Sequence, residues 1–250
     1  MNIFYLSGFQ SWLQDIKDTF TLNFITDDRY MYFVKGLGVT LEVTFFACLL
    51  GIFLGALVAV IRTTHDKTIN DITKPIARFG LKFLNFISKI YLTVIRGTPV
   101  VVQLMICYFV IFASSKNKVL IAVLAFGFNS GAYVAEIVRA GIMSIDNGQF
   151  EAGRSLGFNY FQTMCYIVFP QAFKNILPSL ANEFIVLLKE TSVAGYVGLQ
   201  DLTKGGDIVR GRTFSAFMPL LAVAIIYLIV VMFFTRLVTL LERRLKNSER

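Results

Sequence analysis

The sequence lacks the residues on which most enzymes and metal sites depend. It has one histidine, and its three cysteines (Cys48, Cys107 and Cys165) lie far apart in apolar surroundings. No metal-ligand spacing joins them, so we predict no metal site and assign the cysteines to packing. The dipeptide Gly-Lys does not occur, so the chain has no P-loop for ATP. We find no nucleophile elbow either, and therefore predict neither a catalytic residue nor a bound cofactor.

The sequence also has few charged residues and several long apolar runs. Charged residues make up 16% and hydrophobic residues 56%, against about 25% and roughly 45–50% in soluble domains. A membrane span needs about 20 residues. Four charge-free runs of 23, 19, 19 and 17 residues approach or exceed that length: Thr213–Thr235, Val43–Ile61, Gly97–Ser115 and Val119–Ala135. A soluble protein of 250 residues cannot bury four such helices, so we predict a protein that spans the membrane.

The spacing of these runs predicts an all-α, polytopic transmembrane helix bundle with about five spans. We expect an extramembrane segment over 1–35, a transmembrane domain over 36–241 and a tail over 242–250. The N-terminal segment is charged and has no cleavage site, so we expect the first span to be retained. The five predicted spans are Gly36–Ile61, a second that crosses at Val100–Ala113, Val119–Ile142, an imperfect span at Ala172–Glu190, and Phe217–Leu240.

Two further patterns leave alternatives open. Arg78, Lys82, Asn85, Lys89 and Arg96 fall on one helical face, with apolar residues between them. This stretch is either an amphipathic helix in the headgroup plane or the polar start of the second span. The spacings Gly51-x-x-x-Gly55 and Gly127-x-x-x-Gly131 serve either the fold of the chain or a dimer seam.

The basic residues also predict an orientation. With the N-terminus outside, the inner segments 62–82, 139–162 and 236–250 hold 5, 2 and 5 Lys or Arg, which is 12 in total. The outer segments 1–35, 114–118 and 191–215 hold 3, 2 and 3, which is 8. Basic residues concentrate in cytoplasmic loops, so we predict a cytoplasmic C-terminus. The same bias accounts for the net charge of +8, and we predict membrane lipid rather than nucleic acid as a partner.

The loop after the third span carries a motif. It reads Glu151-Ala152-Gly153, three residues, Gly157, nine residues, and then Ile167-Val168-Phe169-Pro170. Ala152 and Gly157 are small enough for close approach of another backbone, and Glu151 offers a charge to a partner. Pro170 is expected to end one helix and return the chain to the membrane.

This motif resembles the signature of membrane subunits of ATP-binding cassette (ABC) importers, with every spacing matched and departures at Gly153 and Phe169. The resemblance implies a short cytoplasmic coupling helix that docks on an ATPase subunit through Glu151, Ala152, Gly153, Gly157 and Pro170. ATP would then be used by that partner and not by this chain.

Other segments resemble the polar amino acid branch of these permeases, and the similarity covers about Lys35–Leu241. They include Arg96-Gly97-Thr98-Pro99 with Gln103, the stretch from Glu136 to Ile142, Asn182-Glu183 and Lys189-Glu190-Thr191-Ser192. The resemblance implies a polar amino acid as solute, two permease subunits, two ATPase subunits and an external solute-binding protein. It also implies a bacterial inner (cytoplasmic) membrane.

Charged residues inside spans usually face a cavity or a partner. Glu136 and Arg139 are three apart, and with Arg96, Gly97, Thr98 and Pro99 we assign them a structural or gating role. Asn182, Glu183, Lys189 and Glu190 are candidates for the solute pathway. There, a span broken at Pro178 would free backbone groups for a zwitterionic ligand.

Two other classes of function compete with an importer. An ion-coupled secondary transporter or channel for a small polar solute often shows internal repeats, and we find no convincing repeat. A membrane scaffold has no need of the complete loop motif or of charges inside spans.

Overall fold

The structure is a computed structural model that describes residues 12–70 and 72–247. Within these ranges every regular element is helical, which confirms the all-α prediction. Short π and 3-10 turns join some of the helices. In chain order the α-helices are α1 (over 12–20), α2 (Tyr30–Thr68), α3 (Pro75–Gly97), α4 (Val100–Ile106), α5 (Lys118–Met143), α6 (Asn147–Ser155), α7 (Tyr160–Thr163), α8 (Phe169–Glu190), α9 (Leu202–Thr213) and α10 (Phe217–Asn247).

Three of the described helices (α2, α5 and α10) are long and apolar enough to cross a membrane. Helix α3 and the segment from Val100 to Ile111 meet at 108° and together count as a fourth span at most. Helix α8 has 22 residues but is interrupted by polar side chains. A fifth span at α8 therefore stays a prediction.

The first long helix departs from the predicted boundaries. It begins at Tyr30, inside the predicted extramembrane segment, and continues to Thr68. It thus covers about half of the polar stretch Arg62–Lys74, which the sequence predicts as a loop closed by Pro75. A helix that is already nucleated extends over polar residues at little cost. Its C-terminal end therefore carries Arg62 and Asp66 on a helix.

Helices α2 and α5 form the centre of the bundle and pack along their lengths. A Cβ added at Gly55 would lie 2.5 Å from Val134 Cγ1, and one added at Gly127 would lie 2.6 Å from Leu50 Cδ2. These distances are far below van der Waals contact, so the two small-residue faces serve the fold of the chain itself.

The predicted break at Pro178 is wrong. Helix α8 runs without interruption from Phe169 to Glu190, with Pro178 in its interior. Proline removes one backbone hydrogen bond, and buried side chains on both sides of it, including Ile176 and Leu187, hold the helix against its neighbours. Helix α8 thus offers no unwound segment as a ligand site.

Candidate functional site

The motif loop folds into a short arm beyond the end of α5. Asp146 caps α6, because its carboxylate accepts a hydrogen bond from Gly148 N at 2.6 Å. The helix ends in a left-handed turn at Gly157, with φ of 83°. Phe158 N donates to Gly153 O at 3.0 Å and Gly157 N donates to Arg154 O at 2.9 Å. These two bonds form a Schellman motif, which only a residue tolerant of positive φ completes without strain.

A second set of contacts fixes the arm to the bundle. Asn159 and Gln162 exchange two hydrogen bonds of 2.9 Å in a capping box that starts α7. The buried Phe150 ring lies under the Lys67 ammonium, 4.6 Å from the ring centroid. Lys67 Nζ also donates to Asn147 Oδ1 at 2.7 Å. The arm is therefore attached to the end of α2 as well as to α5.

The motif residues lie on two different sides of the arm, one buried and one exposed. Gly153 is buried, and a Cβ added there would lie 2.5 Å from Thr163 Oγ1. The residue that departs from the family pattern is therefore the one that packs closely against α7. Glu151 and Ala152 are exposed, together with Arg154 and Leu156, the last of which is 70% exposed. These four residues form what we call the outer face of the arm.

The structure adds a backbone role for Gly157 and corrects the explanation offered for Pro170. Outside Gly157 and its two chain neighbours, no described atom lies within 4 Å of a Cβ built there, so within this chain the glycine is needed for its left-handed backbone. Close approach of a partner at Gly157 stays a prediction. Pro170 does not end a helix: it is the second residue of α8, and the chain is helical on both sides of it. The π turn Met164–Val168 leads directly into this helix.

Glu136 lies at the centre of an ion-pair network that joins three helices. Its carboxylate accepts a hydrogen bond from Arg62 at 2.6 Å and from Arg139 at 3.5 Å, and it lies 3.9 Å from Arg96. Arg139 also lies 3.9 Å from Asp66. The structure thus brings together Glu136, Arg139 and Arg96 and adds Arg62 and Asp66. The sequence interpretation missed these two residues because it placed them in a loop; their i, i+4 spacing was the available signal.

The Gly97-Thr98-Pro99 segment is the corner between α3 and α4. Gln103 closes this corner: its Nε2 donates to Ile95 O at 2.8 Å and to Thr98 Oγ1 at 2.7 Å. Its Oε1 accepts from Asn129 Nδ2 at 3.0 Å. The conformation of the corner is therefore tied to the middle of α5, which is consistent with a structural role.

The pathway candidates on α8 lie in different surroundings. Glu183 is only 8% exposed and accepts a hydrogen bond from Ser130 Oγ of α5 at 2.8 Å. Asn182, next to it, is exposed. Lys189 is exposed and Glu190 half-buried at the end of the helix, about two turns away. Glu183 thus forms a polar link inside the bundle, separate from the network at Glu136.

An apolar bundle with buried carboxylates and a rigid polar arm defines a membrane transport subunit, and comparison with known proteins specifies the family. The family described as "Binding-protein-dependent transport system inner membrane component" matches residues 75–247. The chain belongs to this family, whose members are multi-pass inner membrane permease subunits of ABC transporters and not enzymes. The predicted relationship to the polar amino acid branch of these permeases is confirmed.

Individual relatives agree with this assignment. The glutamine transport system permease protein GlnP of Escherichia coli K12 is 34% identical over 85% of this chain and 92% of its own length. The arginine transport system permease protein ArtQ of Bacillus subtilis is 34% identical over 87% and 94%.

Two solved structures share the fold. A chain of an amino acid ABC transporter crystallised with histidines is 39% identical, with a TM-score of 0.76, over 88% of this chain and 98% of that one. A chain of the MetNI methionine ABC transporter in an inward-facing conformation is 19% identical, with a TM-score of 0.73, over 88% and 99%. The second similarity concerns the fold alone.

Proposed function

We propose that this chain is the permease subunit of an ATP-driven importer and, with a second permease subunit, forms the path of a polar amino acid across the inner membrane. The observation that carries the proposal is the arm. Its helix is capped at both ends and fastened to α2 through Lys67, and its outer face stays uncovered. A rigid helix with one free side suits a docking element.

The outer face is the proposed contact for the ATPase subunit. Glu151 and Arg154 supply one charge of each sign, Ala152 allows close approach, and Leu156 supplies an apolar contact. Gly153, Gly157 and Pro170 act indirectly, by setting the position of the arm. ATP binding in the partner would move the arm, and its contacts with α2 and α5 would pass that motion to the spans. Because the affinity for solute differs between the inward-open and outward-open states, this motion carries the solute across.

The proposed solute is a polar amino acid, supported by relatives named for glutamine and for arginine transport. Glu183 and Asn182 offer a carboxylate and an amide at one level of the bundle, groups that can meet the ammonium and carboxylate of a zwitterion. Lys189 and Glu190 lie toward the opposite end of α8 from the arm and would line the entrance. An external solute-binding protein would deliver the amino acid there.

The proposed orientation places the arm and the C-terminus in the cytoplasm. The excess of basic residues in the segments 62–82, 139–162 and 236–250 supports it. The arm lies at the same end of the bundle as the end of α2, as the bond between Lys67 and Asn147 shows. This end must face the cytoplasm if it is to meet an ATPase.

The docking assignment is tested by Leu156→Asp, which buries a charge in the proposed contact without altering the packing of the arm. We expect the variant to insert normally but to lose its ATPase partner during affinity purification. Tyr196→Asp is the matched control, since Tyr196 is also 70% exposed but lies in the predicted outer segment. Retention of the ATPase by Leu156→Asp, or equal loss in both variants, would contradict the assignment.

A further inference from the structure

Helix α3 lies close to the membrane plane. The segment after its corner runs antiparallel to α5, because Gln103 contacts Asn129 while the Tyr108 ring lies 5.9 Å from Lys118 Nζ at the start of α5. Since α5 is a span and α3 leaves this segment at 108°, α3 lies across the bundle. This geometry favours the amphipathic helix over the straight polar start of a second span.

The depth of α3 follows from its contact with α5. Arg96 lies 3.9 Å from Glu136, seven residues before α5 ends at Met143, which corresponds to about 10 Å along the helix. Helix α5 has 26 residues and is about 39 Å long, whereas the hydrocarbon core is about 30 Å thick. In the proposed orientation, α3 therefore lies near the inner boundary between acyl chains and headgroups.

Three different sides of α3 fit this boundary. Its buried side consists of Asn85, Ser88 and Leu92. A second side is apolar and exposed, and contains Phe79, Phe83, Phe86, Ile90 and Val94. The third side is basic and exposed, and contains Arg78, Lys82, Lys89 and Arg96. An exposed apolar side next to an exposed basic side is the pattern of a helix that contacts lipid chains and anionic headgroups together.

An open cavity of about 450 Å³, with polar and apolar lining, lies at the basic side between α2, α3 and α5. Arg62, Lys89 and Arg96 line it with Thr93, against the single carboxylate of Glu136. Arg62 Nε is buried and has no hydrogen-bond partner. Lys89 makes no side-chain hydrogen bond or ion pair with the part of the chain that the structure describes. The cavity therefore has an excess of positive charge, and the Lys89 ammonium is an unused donor in its lining.

We propose that this cavity binds the phosphate of an anionic phospholipid from the inner leaflet, with the acyl chains along Phe86 and Ile90. Guanidinium and ammonium groups are the side chains that bind phosphate, and basic pockets between spans on the cytoplasmic side bind anionic headgroups. A phosphatidylcholine headgroup fits less well, because its choline would add a fourth cation. The proposal rests on the orientation given for the proposed function and deepens it with a lipid partner.

The test is native mass spectrometry of the purified transporter complex, incubated with phosphatidylglycerol or phosphatidylcholine of identical acyl chains. We expect wild type to retain phosphatidylglycerol preferentially. Lys89→Gln should weaken that binding about fivefold, the effect of one basic residue at an anionic surface, and Lys89→Arg should restore it. Lys116→Gln removes the same charge at an exposed position in the turn before α5 and should bind as wild type.

Several results would overturn the proposal. These are equal retention of the two lipids by wild type, or equal losses in Lys89→Gln and Lys116→Gln. Displacement of phosphatidylglycerol by millimolar inorganic phosphate would show a phosphate site without a lipid. Displacement by a transported amino acid would assign the cavity to the solute. Lipid retention requires no ATP hydrolysis, so failure of this proposal is distinguishable from failure of the importer assignment.

Discussion

Substitutions at Gly157 distinguish two contributions of the arm to transport: the conformation of its backbone and the charge of its contact surface. We consider three substitutions. Gly157→Val brings a β-branched residue to a backbone with φ of 83°. Gly157→Asn brings a residue that tolerates this conformation. Gly157→Asp has nearly the same shape as asparagine and adds a negative charge beside the outer face.

The magnitude follows from the backbone, because a Cβ at this position meets no atom within 4 Å. The left-handed conformation costs a residue other than glycine about 1–2 kcal/mol. With valine, the equilibrium constant for opening the two terminal hydrogen bonds of α6 should therefore rise by a factor of about ten, since 1.4 kcal/mol corresponds to tenfold. Asparagine should lose much less. The difference between aspartate and asparagine isolates the effect of charge on docking.

The assay is ATP-driven uptake in proteoliposomes, with membrane insertion and ATPase association measured on the same samples. We expect all three variants to insert. Gly157→Asn should keep most of its uptake, Gly157→Val should lose about tenfold, and Gly157→Asp should abolish uptake. Unchanged uptake in Gly157→Val would refute the backbone argument. Unchanged uptake in Gly157→Asp would remove the docking assignment.

Two further predictions concern polar contacts elsewhere. Ser130→Ala leaves the buried Glu183 carboxylate without its hydrogen-bond donor and should lower the free energy of unfolding by about 1–3 kcal/mol. The measurement is the melting temperature in detergent, with Ser115→Ala as the control. Equal melting temperatures of the two variants would contradict the prediction. Hydrogen bonds from Lys204 and Arg210 lower the pKa of Asp207, so its contribution to α9 is present above the ordinary aspartate pKa of about 4 and is lost as pH falls through the lower folded value. The protection factors of the amides over 202–213, which correct for the intrinsic pH dependence of exchange, should therefore fall in acid in wild type but not in Asp207→Asn. Identical pH profiles of protection in the two proteins would refute the ion pairs.

Local signals were sufficient for the arm. An aspartate cap, a helix of suitable composition and a glycine at the motif position are short-range features, and Asp146 and Gly157 occupy the helix boundaries that such signals specify. The backbone role of Gly157 was nevertheless missed, because a motif records which residue is present and not whether its size or its backbone matters. Gly153 shows the converse: it departs from the family pattern, yet of the two motif glycines it is the one in close contact with another side chain.

Tertiary contacts determine three features that the sequence did not predict: the continuity of α8, the length of α2 and the corner after Gly97. Pro178 reads as a break on local propensity, yet packing on both sides keeps α8 continuous. The polar residues after Ile61 read as a loop, yet they extend α2 and place Arg62 2.6 Å from Glu136. Partners separated by 74 residues cannot be paired from composition. The 108° corner after Gly97 likewise depends on Gln103 and its bond to Asn129.

The most direct test of the central proposal is copurification of this chain with the ATPase encoded beside it, followed by reconstitution into liposomes. ATP hydrolysis is then measured with and without the cognate solute-binding protein and a panel of polar amino acids. The proposal predicts a stable complex whose hydrolysis is stimulated by the binding protein together with one amino acid, and that amino acid is the solute. Failure to associate with any ATPase, together with solute flux driven by an ion gradient, would contradict it.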